Sequence, residues 1–164
     1  DRLADIQQAG MQLLAANNFE QHEVSAFARN GQISAHNMNY WQFGDYLGIG
    51  AGAHSKITLP EQGTVIRVSK TRQPDKYLAR QGSLVAKNSP IATEDMAMEF
   101  MMNGLRLKGG VPAEYFPART GLHSASIDSQ VSSLQRQGLM ESGYDRYSAT
   151  PLGYQFLNTL LQSF

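Results

Sequence analysis

The six residues HNMNYW at 36–41 bring together an imidazole (His36), two carboxamides (Asn37 and Asn39), a phenol (Tyr40) and the only indole of the chain (Trp41). Neutral imidazole is a ligand for iron or zinc. An asparagine can orient that imidazole by hydrogen bonding, and Tyr and Trp offer flat walls on which a conjugated ring stacks. The same residues also suit a packed, hydrogen-bonded corner of the chain, and no second acid–base group stands at a fixed spacing to decide between the two. His22, His54 and His123 show no ligand spacing either. HxxxH, paired-carboxylate and nucleophile-elbow patterns do not occur.

A second stretch, GIGAGAH at 48–54, places glycines at 48, 50 and 52. This spacing is not the GxGxxG of dinucleotide folds. It also precedes an expected strand rather than a helix, so no helix N-terminus is offered to a pyrophosphate. The glycines permit close approach of another surface to the backbone, either a packed element or a flat ligand. Met96, Met98, Met101 and Met102 could bind soft metals or haem iron. They lie, however, in a run that is apolar on nearly every face, where methionine fills a core.

Composition narrows the chemistry. Fourteen basic residues balance fourteen acidic ones, so no whole-molecule field draws the chain to nucleic acid or to an anionic membrane. With no cysteine, the chain itself offers no disulfide, no thiolate metal site and no ligands for an iron–sulfur cluster. No run approaches the roughly 20 apolar residues of a membrane span, and no signal-peptide pattern opens the chain, so a cytoplasmic location is expected. Its 164 residues, 41% of them hydrophobic, suit a soluble globular protein of one ordinary domain or two small ones.

The elements that must hold these residues are read next. Leu3, Ile6, Met11, Leu13 and Leu14 recur at helical spacings from the first residues onward, without an initiating methionine, as in a piece cut from something longer. Asn17 and Asn18 end this helix. FEQHEVSAFA then predicts a strand, DYLGIGAGAH at 45–54 predicts a second, buried strand, and HNMNYW falls in the loop between them. KITL and TVIRVS around PEQG predict a hairpin at 56–69, followed by a polar, basic link.

From Thr93 the pattern is helical. Thr93 is expected to cap MAMEFMMNGLRL, with Gly109 and Gly110 stopping it. Pro112 opens a short helix to about Phe116. Ser124 or Ser126 starts another, in which Ile127, Val131 and Leu134 share a face, and Gly138 ends it. LMESGYDRYSAT reads as two short strands around a turn, and Thr150 with Pro151 opens a closing helix. This is the order of a winged-helix-like domain at 93–164, after a unit at 1–54 and a hairpin and linker at 55–92. Five basic residues against seven acidic ones leave 93–164 net acidic, so its would-be recognition helix cannot neutralise a DNA backbone.

EVSAFAR at 23–29, HNMNYW at 36–41, GDYLGIGAGAH at 44–54, KTRQPDKYL at 70–78 and the tail with SLQRQGLMES and YSATPLGYQFLNTLL together resemble the C-terminal part of HemW-type haem chaperones. These are radical S-adenosylmethionine proteins related to oxygen-independent coproporphyrinogen III oxidase, and the resemblance runs from end to end. HNxxYW is its most specific piece. It is characteristic of the chaperone branch and implicated there in haem binding.

The resemblance implies an α/β plus α chain. Residues 1–54 would be the last helix and strands of an open (β/α) barrel, and 93–164 the winged-helix-like domain. It implies that His36 ligates or orients haem, that Asn37, Tyr40 and Trp41 complete the haem site, and that Gly50, Ala51 and His54 border S-adenosylmethionine. The CxxxCxxC triplet that holds a [4Fe-4S] cluster in the family has no counterpart here, so the chain is expected to be a fragment that neither holds the cluster nor cleaves S-adenosylmethionine. The implied partners are haem or porphyrin and haem-accepting proteins, including a membrane-associated recipient, although the chain has no membrane segment of its own. Arg67, Lys70, Arg72, Lys76 and Arg80 could meet haem propionates, but the run reads first as a solvated linker. Two other readings remain: an oxygen-independent coproporphyrinogen III oxidase in which HNMNYW only packs, and an interaction lid for the barrel.

Overall fold

In the computed structural model the described residues are 2–164; Asp1, the first residue of the expected 1–54 unit, lies outside them. The predicted first helix is present as α1 (Arg2–Ala16), and Asn18 ends it in the left-handed conformation at φ 61°. It contributes no buried residue, and its Ile6 and Leu13 face solvent.

FEQHEVSAFA is not one strand. It folds back as the hairpin β1 (Glu20–Glu23) and β2 (Ala26–Ala28), with Glu20 opposite Ala28. The physical cause is local: the Glu23 carboxylate accepts from Ser25 N at 2.9 Å and from Ser25 Oγ at 2.8 Å, which closes the turn. HNMNYW is likewise not a loop but the body of a helix, α2 (Ala35–Trp41), whose first turn is capped by Ser34 Oγ accepting from Asn37 N.

The predicted strand over 45–54 is also corrected. Up to Ala53 the segment is irregular, held to its neighbours where Tyr46 bridges Lys56, where Gly52 N donates to Thr71 O, and where Ala53 O accepts from Lys70 N. Gly50 and Gly52 take φ of 99° and 70°, which no strand accommodates, and Leu47 and Ile49 are exposed. The expected hairpin forms from β3 (His54–Leu59) and β4 (Thr64–Lys70) in continuous antiparallel register, from His54 opposite Ser69 to Leu59 opposite Thr64. The basic link contributes a short helix, α3 (Pro74–Leu78), and a third strand, β5 (Val85–Pro90), paired antiparallel with β4.

The methionine-rich helix is α4 (Met96–Gly104). It is entered through a 3-10 turn at Thr93–Asp95 with no side-chain cap from Thr93. It ends at Gly104 rather than at the Gly109–Gly110 pair, and glycine at 104 lets the helix close on the next strand, since a Cβ there would lie 2.6 Å from Val111 Cγ1. Gly110, at φ 63°, makes the turn into β6 (Val111–Pro112), so the helix expected at Pro112 begins later, as α5 (Tyr115–Thr120). The helix α6 (Asp128–Arg136) follows, and β6 pairs with β7 (Arg146–Tyr147). The first of the two strands expected in LMESGYDRYSAT is reduced to a single bridge from Met140 to Ala149. Thr150 caps the closing segment by accepting from Gly153 N at 3.0 Å, and that segment is two short helices, α7 (Pro151–Gln155) and α8 (Leu157–Leu161).

Met96, Phe100, Met101, Leu105, Phe116, Ile127, Leu134 and Leu160 form the centre of the core. Phe43, Val65 and Ile91 belong to the same cluster, so the sheet and the end of α2 rest on the helical layer. Phe43, Phe100, Phe116 and Tyr147 contact one another edge to face in series, at centroid separations of 5.6, 5.2 and 6.3 Å. No described helix is long and apolar enough to cross a membrane.

Candidate functional site

In a helix, residues four apart share a face. HNxxYW is therefore two adjacent pairs, His36 with Tyr40 and Asn37 with Trp41. The His36 ring meets the Tyr40 ring edge to face at 4.7 Å, and Tyr40 meets Tyr46 at 4.4 Å. His36 and Asn37 are exposed, whereas Tyr40 and Trp41 are half-buried. The first turn of α2 thus presents an accessible imidazole and carboxamide on an aromatic footing.

The other end of α2 is fixed firmly. Gly44 N donates to Asn39 O at 2.7 Å and Phe43 N to Tyr40 O at 2.9 Å, the two bonds of a Schellman termination. The left-handed position, normally glycine, is taken by Phe43 at φ 59°. A side chain there costs about 1–2 kcal/mol. Burying a phenyl ring returns about 1.5–3 kcal/mol, and Phe43 is only 2% exposed, so the strained conformation persists because the ring reaches the core. Gly44 has a reason of its own: a Cβ there would fall 2.0 Å from Asn39 Oδ1.

Polar contacts bind this end further. Asn39 Nδ2 donates to Asp45 O at 2.8 Å, and Arg119 Nη1 donates to Gln42 O at 2.6 Å. Lys56, 3% exposed, lies over the Phe43 ring at 4.1 Å and pairs with Asp45 at 2.9 Å. Burial pushes the Lys56 ammonium below its ordinary range, and its bond to Asp45 recovers only part of that. Burial also raises Asp45, but bonds from Thr58 and Lys56 outweigh it and leave the carboxyl lowered.

Trp41 meets the chain after α4. The Arg106 guanidinium carbon lies 4.4 Å from the indole ring centre, and Arg106 Nη2 donates to Glu23 Oε2 at 3.0 Å. Glu23 is 3% exposed. Burial raises its pKa, but the bonds from Ser25 and Arg106 together hold it below the ordinary 4.5. The Arg106 carbonyl accepts from Val24 N at 3.1 Å and from Tyr154 OH at 2.8 Å. The Tyr154 hydroxyl is pushed up to about 12 by burial and then by Glu23.

Gly50, Ala51 and His54 lie apart from this cluster, in the irregular segment and at the start of β3. None of the three has a hydrogen bond or ring contact with His36 among the described residues. Ser55 shapes their backbone by accepting from Gly48 N at 2.9 Å. Of the basic run, Arg67 pairs with Glu99, and Arg80 donates to Ser83 O, Thr71 Oγ1 and Val85 O. Glu23 and Arg106 went unread in the sequence. They stand 83 residues apart with no shared motif, and only the fold joins them.

Residues 91–156 match the family described as HemN C-terminal domain. A solved structure shares the fold of the chain. The coproporphyrinogen III oxidase (HemN) of Escherichia coli, described as a radical SAM enzyme, superposes with a TM-score of 0.63 over 98% of this chain and 40% of its own, at 14% identity. In sequence the chain is HemW-like along its whole length. It is 41% identical over its whole length to the haem chaperone HemW of Escherichia coli (strain K12), and 41% to that of Haemophilus influenzae. It is also 31% identical, over 98% of its length, to a mitochondrial radical S-adenosyl methionine domain-containing protein 1 from Bos taurus. The chain spans about two-fifths of the length of these relatives, at 43%, 42% and 38%.

Proposed function

We propose that the protein binds haem at the first turn of α2 and delivers it to haem-accepting proteins. One observation carries the reading: HNMNYW is a helix whose imidazole is accessible while its aromatic pair and C-terminal end are fixed to the body of the chain. A residue that only packs has no need to expose His36. The donor set fits a haem group: His36 would supply a nitrogen to the iron, Asn37 a hydrogen bond beside it, and Tyr40 and Trp41 apolar surface for the macrocycle. Bound haem would supply the cargo; the chain's own residues orient it and leave one side open for release. Identity of 41% along the whole chain to two proteins named haem chaperones supports this over the oxidase reading, whose solved relative is 14% identical.

The same reading makes residues 1–54 the end of an open barrel and 93–164 a winged-helix-like domain. Gly50, with open space where a Cβ would lie, and the exposed Ala51 and His54 suit a border to S-adenosylmethionine. A [4Fe-4S] cluster does not fit this chain's residues, which include no thiolate. Parallel assays of haem titration and coproporphyrinogen turnover, run on this chain joined to a segment that carries the cluster cysteines, test the assignment. A saturable Soret change without porphyrinogen conversion is expected. Turnover without haem binding would select the oxidase instead.

A further inference from the structure

Trp41 is half-buried, yet its indole Nε1 is enclosed and has no hydrogen-bond partner among the described residues. Hydrogen bonding therefore does not set the rotation of the ring. Among the described residues, the charged group against its face is Arg106, 4.4 Å from the ring centre. Arg106 is itself immobilised: its carbonyl is held by Val24 N and Tyr154 OH, and its guanidinium by the buried Glu23. A planar guanidinium stacks on an indole in a way an ammonium does not.

We propose that Arg106, braced by Glu23, is the positioning residue for Trp41. It fixes the indole so that the exposed face of α2 is set before a ligand arrives. The proposal deepens the haem reading and rests on it for its functional consequence. It also couples two distant parts of the chain at one side chain. The turn between β1 and β2 supplies the carboxylate, the segment after α4 supplies the guanidinium, and α2 supplies the ring.

Trp41 is the sole tryptophan, so its emission reports this contact directly. Arg106→Gln is expected to red-shift that emission, raise its quenching by acrylamide, and weaken haem binding about tenfold, the loss of one partly desolvated cation–π contact. Arg106→Lys should restore charge but only part of the emission and affinity. Arg146→Gln, which removes bonds to the Gly109 and Gly110 carbonyls and none to Trp41, Arg106 or Glu23, should change neither. A folded Arg106→Gln protein with unaltered emission and quenching overturns the proposal. If that variant does not fold, Glu23→Gln loosens the brace without emptying its place, and unchanged quenching there overturns it equally. Haem binding that responds to His36→Ala but not to Arg106→Gln defeats the positioning role alone. Haem binding indifferent to both, with the emission shifted, defeats the haem reading.

Discussion

Residues 96–161 and residues 2–53 hold themselves in place by opposite means. The first region carries most of the core, a continuous packing of Met96, Phe100, Met101, Phe116, Ile127, Leu134 and Leu160. The second buries two hydrophobic side chains, Ala28 and Phe43, and leaves a whole helix, α1, without a buried residue. It is tethered at separate points: Phe43 in the core, Glu23 on Arg106, Trp41 beneath the same arginine, and Asp45 on Lys56. A region fixed by a few tethers can expose its polar groups without spending core residues on them. The candidate site lies in that region, while the fold is secured elsewhere.

The sharpest way to break this contrast is to damage the core. Phe100→Ala should destabilise the whole chain by about 3–5 kcal/mol, seen as one cooperative shift in urea denaturation. If only residues 96–161 unfold early while Trp41 emission stays native, the two regions are not joined through Phe43. Phe43→Ala should come next, at about 2–4 kcal/mol, with the loss centred on α2. Phe43→Gly removes the same ring but relieves the left-handed backbone, so it should be about 1 kcal/mol more stable than Phe43→Ala. The reverse order would contradict the Schellman account.

Glu23→Gln should cost about 1–3 kcal/mol at neutral pH, since it removes a charge-assisted bond from a buried site. Its folded pKa is depressed below 4.5, so the stabilisation is complete above that value and is lost as pH falls through the folded pKa. The gap between wild type and Glu23→Gln should therefore close on acidification below pH 4.5. A gap that widened there would reverse the assigned sign. Smallest of all, His36→Ala should move stability by less than about 0.5 kcal/mol, as expected of an exposed side chain that neither caps a helix nor enters the core.

Where the sequence was readable, long periodic signals carried it. α1, α6 and the β3–β4 hairpin follow from spacing and turn residues. α2 was hidden because seven residues hold under two turns of periodicity, and because its end uses Phe43 where a glycine would have announced a C-cap. The segment 45–53 misled in the other direction. Leu47 and Ile49 alternate with glycine like a strand, but Gly50 and Gly52 take positive φ and the two aliphatic side chains are exposed. The residue types of the site were legible in HNMNYW. Their helical pairing was not, nor were Arg106 and Glu23, whose role depends on tertiary contact.

Everything in the functional account turns on His36. Haem titration followed at the Soret band, in wild type, His36→Ala, Trp41→Ala and His123→Ala, tests it most directly. The account predicts weaker binding with a displaced Soret maximum for His36→Ala, weaker binding with a smaller spectral change for Trp41→Ala, and neither for His123→Ala. The same spectrum and the same affinity with and without His36 would contradict it and return HNMNYW to a purely structural helix.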